Sequence, residues 1–540
     1  MKKLISAIIV LAMLFTLASC GSNSSGGNIV YPIETSPDTL DPQYAKDGGA
    51  QLIINNIFEG LVRYNSEGEI IPGIAESWNI SDDGLTYTFY LKKETEWYCS
   101  SNIKTEFGDE FYEKFSTAVV TANDFVFACR RTVDPATDSP FAHRMMMIQS
   151  ASEIAAGSMD SSQLGVTAIN ETTLEFKLVE PCNDFLSRLT ESEFMPCNEE
   201  FFNAMGGRYG LTAKHILCNG PFYVSSWDYE STMTCKANKF YGGEQTVVPS
   251  SVIFAFENTE DEVLAKLASG SITAALLSPE TELPKNVYVS KEIKDSVYGF
   301  AFNCDDVTLS NANIRKALCS SIDVTLFELT GDNIYPESGF IPEVCTAGSV
   351  NYREKVEGQT PTIEHNEKNA VKMWNKGLKA LETESVSLTV LCPEFLETSV
   401  RRQFQIWQEL FGVSLGIKVQ TGTAAEIKEA VEDGDYQIAV TGIQSEYTDA
   451  VSFLSDFRDS NMFNYTSEKF QSIIDRLSLT DTEEEIISGC FTAEDYLLKQ
   501  GVFYPLYTKP SRFVINDDAN DISILNSEKT IGFINAKRSD

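Results

Sequence analysis

From residue 386 onwards the sequence alternates between short apolar stretches typical of strands and longer stretches with helical periodicity. This pattern predicts strands at Val386–Cys392, Ile417–Thr421 and Tyr436–Thr441, and helices at Glu397–Phe411 and Ala424–Val431. Strands that are joined through a helix pair in parallel, and such connections are right-handed. The sequence therefore predicts a β-α-β-α-β unit, an open parallel sheet with helices over its faces.

The residues after the last of these strands are the first candidates for a binding site. Open α/β sheets bind ligands beyond the carboxyl ends of their strands. The segment Gly442–Asp449 is predicted to leave the strand that ends at Thr441. On topology alone, ligand contacts are expected in this segment.

The rest of the chain contains enough predicted elements for more than one domain. A helix is predicted at Leu52–Leu61, a strand at Tyr87–Leu91 and a helix-starting capping box at Thr121–Asp124. A strand pair is predicted at Phe222–Trp227 and Thr232–Ala237. A chain of 540 residues is too long for a single core, so two or three domains are expected. A hydrophobic content of 43% is enough to give each domain a packed interior.

The N-terminus has the order of features of a bacterial lipoprotein signal. Two lysines precede a mostly apolar stretch, Leu4–Leu17, which is shorter than the ~20 residues of a spanning helix but suits a secretory signal. Leu17-Ala18-Ser19-Cys20-Gly21 then resembles a lipobox, in which the cysteine is acylated. These features predict a signal peptide at residues 1–20, a lipid anchor on Cys20, a flexible tether at residues 21–28, and a location on the extracytoplasmic face of the cell membrane. An ordinary cleaved signal or an uncleaved anchor is the alternative.

The charge balance excludes some partners. Acidic residues outnumber basic ones by 78 to 42, which gives a formal net charge of -36. A surface this negative repels phosphate backbones and anionic lipid headgroups. No nucleic-acid partner is therefore predicted.

Eleven cysteines remain after Cys20, and none has C-x-x-C spacing. The three histidines of the chain are too scattered to complete a metal cluster with them, so neither a metal site nor a cofactor is predicted. Cys218 with Cys235, or Cys182 with Cys197, would close loops as disulfides. The odd number and the lack of a framework spacing favour buried free thiols instead.

The signatures of common enzymes are absent from the sequence. It contains no G-x-S-x-G elbow, P-loop, Rossmann glycine pattern, H-E-x-x-H or EF-hand loop. Three histidines leave little room for histidine-based acid-base chemistry. The sequence therefore favours binding over catalysis.

Four blocks of sequence carry a resemblance to a known family. The blocks are Leu40-Asp41-Pro42 with Ile57-Phe58-Glu59-Gly60-Leu61; residues 72–78 with residues 81–89, continued by residues 120–126 and 134–140; Asn219-Gly220-Pro221-Phe222-Tyr223; and Phe302-Asn303 with residues 314–318, followed late in the chain by Tyr504-Pro505-Leu506-Tyr507. They occur in the family's order along almost the whole chain. On them, the chain resembles the extracellular solute-binding proteins of family 5, typified by bacterial oligopeptide-binding lipoproteins of ABC transporters.

The resemblance implies an α/β fold of the periplasmic-binding-protein type (class II, in the large cluster with an extra inserted domain). Two lobes joined by a hinge would enclose the ligand when they close. The predicted division, by residue number, is a discontinuous lobe I at 29–60, 171–296 and 501–540, an inserted domain II at 61–170, and lobe III at 297–500.

The resemblance also implies how a ligand is held. In peptide-binding relatives the ligand lies extended, pairs its backbone with strand-like segments, and places its side chains in hydrated pockets. An acidic residue in the loop after a lobe III strand holds the ligand's free amino terminus. Glu446 has that position here, where relatives carry Asp. In so acidic a protein, a solvated loop carboxylate is the alternative for Glu446.

Further candidate ligand contacts come from the same resemblance. Gly442, Ile443 and Gln444 are candidates to offer backbone groups, and Tyr447 is a candidate to line a side-chain pocket. Asp47 lies in the stretch 45–51, which matches a ligand-facing loop of relatives, although here it is Gly-rich and lacks their acidic and proline features. Trp407 lies on a predicted helix and is expected in the core.

The function implied is that of a monomeric substrate-binding lipoprotein that captures extracellular oligopeptides and delivers them to the permease subunits of an ABC importer. Relatives with this architecture also bind dipeptides, nickel complexes, haem, oligosaccharides or peptide pheromones, and the fold does not decide among these. The scarcity of histidine argues against a metal complex. A lipoprotein that senses a peptide signal, or a surface enzyme that reused the fold, is also compatible with the sequence.

Overall fold

The computed structural model describes residues 27–182, 184–243, 245–257, 259–278, 281–327, 335–348, 350–445, 449–458, 461–477, 480 and 482–539. The strands in this part of the chain are β1 (Asn28–Ile33), β2 (Val62–Tyr64), β3 (Ile70–Pro72), β4 (Ala75–Ile80), β5 (Thr86–Leu91), β6 (Tyr98–Cys99), β7 (Val166–Asn170), β8 (Thr173–Lys177), β9 (Leu217–Cys218), β10 (Phe222–Asp228), β11 (Thr232–Ala237), β12 (Ser251–Phe256), β13 (Ala274–Leu277), β14 (Val287–Ile293), β15 (Ser296–Phe302), β16 (Tyr335–Pro336), β17 (Thr346–Ala347), β18 (Val350–Asn351), β19 (Val386–Pro393), β20 (Leu415–Gly422), β21 (Ile438–Gln444), β22 (Phe503–Thr508), β23 (Ser511–Asn516), β24 (Ala519–Asn520) and β25 (Lys537–Arg538). The α-helices are α1 (Gly48–Ile57), α2 (Lys104–Phe115), α3 (Ala122–Val133), α4 (Ala151–Ala155), α5 (Phe185–Arg188), α6 (Glu199–Met205), α7 (Glu260–Ala268), α8 (Ala312–Cys319), α9 (Tyr352–Lys355), α10 (Glu367–Ala380), α11 (Glu397–Phe411), α12 (Ala424–Glu432), α13 (Ala450–Ser455), α14 (Glu468–Leu477) and α15 (Glu483–Gln500).

The chain forms two bodies, which we call the first lobe (residues 27–293 and 511–539) and the second lobe (residues 296–508). In the first lobe, β1-β12-β11-β10 and β4-β5-β8-β7 form four-stranded sheets, and β13-β23-β14 forms a three-stranded one. One continuous cluster of buried apolar side chains joins the two four-stranded sheets. The first lobe is therefore built around a shared interior.

The second lobe is built on a six-stranded sheet in the order β16-β22-β15-β21-β19-β20. β19 runs parallel to β20 and to β21, whereas β15 is antiparallel to β21 and β22. The predicted β-α-β-α-β unit is confirmed, and α11 has the predicted bounds. The sheet as a whole is mixed rather than parallel, because three strands from elsewhere in the chain, β15, β16 and β22, complete it.

Side chains alternate between the two faces of this sheet, as strand geometry requires. Along β15, Val297 and Ala301 enter one buried cluster, and Phe300 and Phe302 enter the other. Trp407 is fully buried in the second cluster, which confirms the expectation that it belongs to the core. The sheet thus forms the centre of a three-layer lobe.

One predicted strand boundary is wrong in a way that matters for the site. β21 ends at Gln444 and not at Thr441, so Gly442 and Ile443 are strand residues rather than residues that have left the strand. The reason is that β15 pairs with the whole of β21, with Ser296 opposite Gln444. Pairing with a strand so far away in the chain has no local sequence signal.

The first helix also begins earlier than predicted, at Gly48 instead of Leu52. Asp47 is its N-cap, and one of its side-chain oxygens accepts a hydrogen bond from the N–H of Ala50 at 2.8 Å. This cap supplies a partner for an N–H that the helix itself leaves unpaired. The stretch 45–51 is therefore largely helical rather than a loop.

The chain crosses between the lobes twice. β14 leads to β15 through Lys294 and Asp295 only, and β22 leads to β23 through Lys509 and Pro510 only. β14 pairs with β23 and β15 pairs with β22, so the two crossings lie side by side. Two short adjacent connections are the arrangement expected of a hinge. The predicted division at residue 500 falls before β22, which pairs within the sheet of the second lobe.

The motif residue Asp41 connects the N-terminal loop to α3. Its Oδ2 lies 2.5 Å from Nη2 of Arg131, and both side chains are buried. Arg131 also donates to Oε1 of Gln43 at 2.9 Å and packs on the ring of Phe202. This buried charge pair fixes the N-terminal loop against α3, because breaking it leaves a charge without a partner. Nε of Arg131 is buried and has no hydrogen-bond partner among the described residues.

The cysteines are free thiols. All eleven that the structure describes are unpaired, and ten are buried, with Cys304 half-buried. Neither of the two disulfides considered from the sequence forms. The predicted anchor Cys20 lies outside the described residues. Within those residues, no helix has both the length and the apolar character needed to cross a bilayer.

Candidate ligand-binding cleft

A cleft of about 1490 Å³ lies between the lobes. Its second-lobe wall is formed by the carboxyl ends of β19, β20 and β21, and by the turn that contains Phe395. The other wall is formed by residues next to the two crossings and by the C-terminal tail at Glu528. The volume exceeds the ~300–1,000 Å³ of most small-molecule pockets, so the cleft has room for an extended ligand.

Strand β21 has one paired edge and one open edge where it lines the cleft. β15 pairs with all of β21, whereas β19 pairs only with Ile438 and Ala439. From Val440 to Gln444 no strand in the described ranges occupies that second edge, and all five residues line the cleft. Backbone groups removed from water need partners. This edge is therefore suited to pair with an extended segment supplied by a ligand.

A stacked tyrosine pair lines the cleft next to this edge. The rings of Tyr298 and Tyr507 are 5.1 Å apart with an interplanar angle of 4°. Gly442 lies against the Tyr298 ring, and a Cβ added at Gly442 would come within 2.8 Å of a ring atom. Glycine at position 442 thus lets the aromatic surface approach the strand backbone.

Asp295, at the first crossing, ties the hinge to the end of β21. Its Oδ2 accepts a hydrogen bond from Nε2 of Gln444 at 2.8 Å, and its backbone oxygen accepts one from the N–H of Ser445 at 2.8 Å. Burial raises the pKa of the Asp295 carboxyl above its usual range, although the bond from Gln444 opposes this. The geometry of the strand end is thereby coupled to the hinge.

The lobes touch directly at a buried polar contact. Oγ of Ser452, in the first turn of α13, donates to Oδ2 of Asp184 in the first lobe at 2.6 Å. Nε of Arg188 donates to the same oxygen at 2.8 Å. Asp449, the N-cap of α13, is also buried, and burial together with the nearby Asp184 raises the pKa of its carboxyl to about 6. This arrangement connects the two lobes independently of the two chain crossings.

A second depression, of about 930 Å³, lies at the other end of the large sheet. It is lined by residues around the amino end of β21, such as Tyr436 and Gln437, and by the acidic turn after α12. Ligands of open α/β sheets bind at the carboxyl ends of the strands. We therefore place the candidate site in the interlobe cleft.

Of the ligand contacts predicted from the sequence, some line the cleft, one does not, and two lie outside the described residues. Gly442, Ile443 and Gln444 all line the cleft, although the side chain of Ile443 points into the core. Asp47 caps α1 and does not line the cleft. Glu446 and Tyr447 lie outside the described residues.

Several cleft residues were not predicted. The rule about carboxyl ends applies equally to β19 and β20, and it would have indicated residues 393–395 and 421–423. Tyr298 and Tyr507 need the strand pairing before they can be placed together. Glu528 belongs to a tail that returns to the cleft through long-range packing, and no local pattern marks it.

The described side chains do not suggest metal chemistry. Within the described ranges, no group of three or more His, Cys, Asp or Glu side chains is arranged to hold a metal ion. The cleft offers instead an open strand edge, aromatic surface and several carboxylates. These groups suit a ligand with backbone amides and positive charge.

Comparison with known proteins gives a consistent picture. The profile of the bacterial extracellular solute-binding proteins, family 5 (middle region), matches residues 69–465. The oligopeptide-binding protein OppA of Bacillus subtilis (strain 168) is 27% identical over 509 residues, which cover 88% of this chain and 89% of OppA. The dipeptide-binding protein DppE of the same organism is 25% identical over 564 residues, which cover 100% of this chain and 99% of DppE. The structure of the Escherichia coli murein tripeptide binding protein MppA superposes with a TM-score of 0.72 at 22% identity, covering 95% of this chain and 98% of MppA.

The interlobe contact generates a pH prediction for Asp449→Asn, which keeps a side chain able to cap α13 but removes the charge. Because the pKa of Asp449 is raised to about 6, against about 3.9 in an unfolded chain, the folded protein binds this proton more tightly. Stability is therefore lost as the pH rises from about 4 to about 6, and the penalty of ionisation is fully present above that window. We expect Asp449→Asn to stabilise the protein by roughly 1–3 kcal/mol at about pH 7.5 and to give no gain at about pH 4.

The measurement is denaturant unfolding of both proteins at the two pH values. Asp433→Asn, at an exposed position after α12, is the matched control and should change stability little at either pH. An equal effect of Asp449→Asn at both pH values would contradict the assignment of a buried, repelled charge.

Proposed function

Because the chain belongs to the bacterial extracellular solute-binding proteins of family 5, we propose that it captures peptides in its interlobe cleft and delivers them to the permease subunits of an ABC importer. The family consists of substrate-binding proteins, and the proposed function alters no bond of the ligand. The observation that carries the proposal is the open edge of β21 inside the cleft. The peptide-binding names of the two Bacillus subtilis relatives support a peptide as the ligand.

An open strand edge recognises what all peptides share. A ligand in extended conformation adds to Val440–Gln444 through N–H···O=C hydrogen bonds, and these do not depend on its sequence. Its side chains then alternate between the two sides of the added strand, towards surfaces such as the Tyr298–Tyr507 stack and Phe395. Phe395 is 61% exposed, so it has apolar surface available for a ligand. This mode of recognition tolerates many peptide sequences and gives only a modest preference for particular side chains at each ligand position.

The ligand's amino terminus would be held by Glu446, with Tyr447 beside it. Two observations on the flanking residues support this assignment. Gln444 lines the cleft, and Ser445 is hydrogen-bonded to the hinge residue Asp295. On the other side, Asp449 caps α13, next to the interlobe contact. A carboxylate at position 446 would pair with the ligand's ammonium group through a charge-assisted hydrogen bond.

Binding would be coupled to closure of the lobes. The two adjacent crossings supply the hinge, and the Ser452–Asp184 hydrogen bond stabilises the closed arrangement. A ligand in contact with both walls shifts the equilibrium towards closure in proportion to its preference for the closed form. The closed protein would then be the form that a permease recognises.

The proposal also includes attachment of the protein to the cell membrane. A lipid on Cys20, followed by the tether at residues 21–28, would hold a monomer at the extracytoplasmic face of the cell membrane. The described part of the chain begins at residue 27, close to β1, so the tether would join the first lobe directly. The division of that lobe into lobe I and an inserted domain II remains part of the proposal.

The function is tested by identifying what the protein carries. Protein produced without residues 1–20 is denatured under mild conditions, and the released small molecules are analysed by mass spectrometry. We expect a mixture of short peptides that share length more than sequence, since backbone groups dominate recognition. A single sugar, lipid or metal chelate in stoichiometric amount would contradict the proposal.

Glu446→Ala tests the anchor for the amino terminus. We expect the affinity for tetra-alanine with a free amine to fall by a factor of about 30 or more, since the loss of a buried partner for an ammonium costs about 2–5 kcal/mol. The affinity for N-acetylated tetra-alanine should change by less than about threefold. Both affinities are measured by titration calorimetry, and Glu429→Ala, at an exposed position of α12, is the matched control. Equal losses for the two peptides would remove Glu446 from the site.

A further inference from the structure

The C-terminal tail places one carboxylate in the cleft from the side of the first lobe. Glu528 begins a short 3-10 turn, Glu528–Thr530, which packs on α1. Nδ2 of Asn55 and Nδ2 of Asn56 donate to the backbone oxygens of Lys529 and Ile531 at 2.8 Å and 2.9 Å. The turn is thereby fixed in position, and Glu528 lines the cleft opposite the second lobe.

Only one of the two carboxylate oxygens of Glu528 accepts a hydrogen bond from the described residues. Oε1 accepts a hydrogen bond from the hydroxyl of Tyr31 at 3.1 Å. Among the described residues, none donates a hydrogen bond to Oε2, and none forms a salt bridge with Glu528. The neighbouring Lys529 points elsewhere and pairs with Glu191 at 2.8 Å. Glu528 lines the cleft, so a donor carried by a ligand can bind Oε2, and hydrogen bonds to charged groups are among the stronger ones.

The charges that act on Glu528 are negative. Burial raises the pKa of this carboxyl above its usual range, and Glu34 and Asp47 raise it further, against the bond from Tyr31. The start of α1 lies beside it, since a Cβ on Gly48 would be 3.8 Å from Oε2. That helix end already has Asp47 as its cap. A positive group placed at Oε2 would relieve the repulsion among three carboxylates at once.

Most of the other charged side chains that line the cleft are also negative. Its lining includes six carboxylates against two lysines. They are Asp295, Glu394, Glu426, Glu432, Asp456 and Glu528, against Lys428 and Lys509. Some of these are already engaged, since Asp295 binds Gln444 and Glu426 completes the capping box of α12. Glu528 differs from them in being half-buried on the first lobe with an open acceptor.

We propose that Glu528 is a specificity-determining residue that favours peptides with a lysine or arginine side chain. The proposal rests on the proposed function, and it assigns to Glu528 a cation other than the ligand's amino terminus. Nζ of a lysine or the guanidinium of an arginine donates to Oε2, while Tyr31 keeps Oε1 in place. Closure of the second lobe over the ligand removes water from this pair and strengthens it.

The test uses two matched sets of alanine-based tetrapeptides with free amino termini. One set carries a single lysine at position 2, 3 or 4, and the other carries norleucine, which keeps the chain length without the charge. Affinities are measured by titration calorimetry for the wild type and for Glu528→Gln. We expect the wild type to prefer lysine at one position by about tenfold or more, and Glu528→Gln to lose this preference while binding the norleucine peptides within about threefold of the wild type.

Two variants separate this role from others. Glu432→Gln removes an exposed cleft carboxylate on the second lobe, and it should keep the lysine preference. Tyr31→Phe keeps the Glu528 carboxylate but removes the hydroxyl that holds Oε1, so it should reduce the lysine preference less than Glu528→Gln does. If Glu528→Gln weakens lysine and norleucine peptides equally, the residue is structural and the proposal is overturned. If Glu432→Gln removes the lysine preference as completely as Glu528→Gln does, the overall negative charge of the cleft accounts for the preference. The proposal is then likewise overturned.

The outcome is also distinguishable from failure of the proposed function. A wild-type protein that binds the norleucine set but shows no lysine preference contradicts the role of Glu528 alone. A preference that disappears on N-acetylation assigns Glu528 to the amino terminus and overturns the side-chain assignment. Failure of the wild type to bind any peptide of either set would contradict peptide capture itself, and the proposal for Glu528 with it.

Discussion

Backbone hydrogen bonding is the constraint on which the candidate site depends. Every strand in a packed lobe must satisfy its N–H and C=O groups, and β21 does so along its whole length only on the β15 side. On the other side β19 leaves it after Ala439, so Val440–Gln444 enter the cleft with an edge that only water or a ligand can complete. An exposed strand edge can pair with strands of other protein molecules and cause aggregation. Here the edge lies inside a cleft between two lobes, where an extended chain of limited length reaches it and another folded sheet does not.

The same strand connects recognition to movement. Gln444 at its end is bound by Asp295, and Asp295 is one of only two residues between the first lobe and the second at that crossing. The second crossing runs beside the first, so the lobes are joined by a narrow pair of adjacent connections. In addition, Ser452 and Asp184 form a contact that needs both lobes. A ligand on the strand edge thus acts near the hinge and near the closing contact, and its binding energy is available to favour closure.

The sequence predicted local and periodic features well, and features made by distant pairing poorly. The β-α-β-α-β unit was correct because each strand and helix of it has its own hydrophobic period, and α11 was placed to the residue. The end of β21 was misplaced because β15, its partner, lies far away in the chain. Topology still led to Gly442–Gln444, because the carboxyl ends of these strands face the cleft. Asp47 is not among the residues that line the cleft, and its carboxylate caps a helix that begins earlier than its apolar pattern suggests. Glu528 was beyond prediction, because a tail residue acquires its surroundings only when the fold is complete.

The claim that the open edge of β21 binds a peptide backbone is tested most directly by removing one backbone donor of the ligand at a time. Tetra-alanine peptides with a free amine and a single N-methylated amide at successive positions are titrated into the wild-type protein by calorimetry. The account predicts that at least one position loses affinity by about tenfold or more, since a strand carbonyl or amide is left unpaired. Peptides with serine in place of alanine at the same positions should bind within about threefold of tetra-alanine. Equal affinity for every N-methylated peptide would contradict recognition through the strand edge.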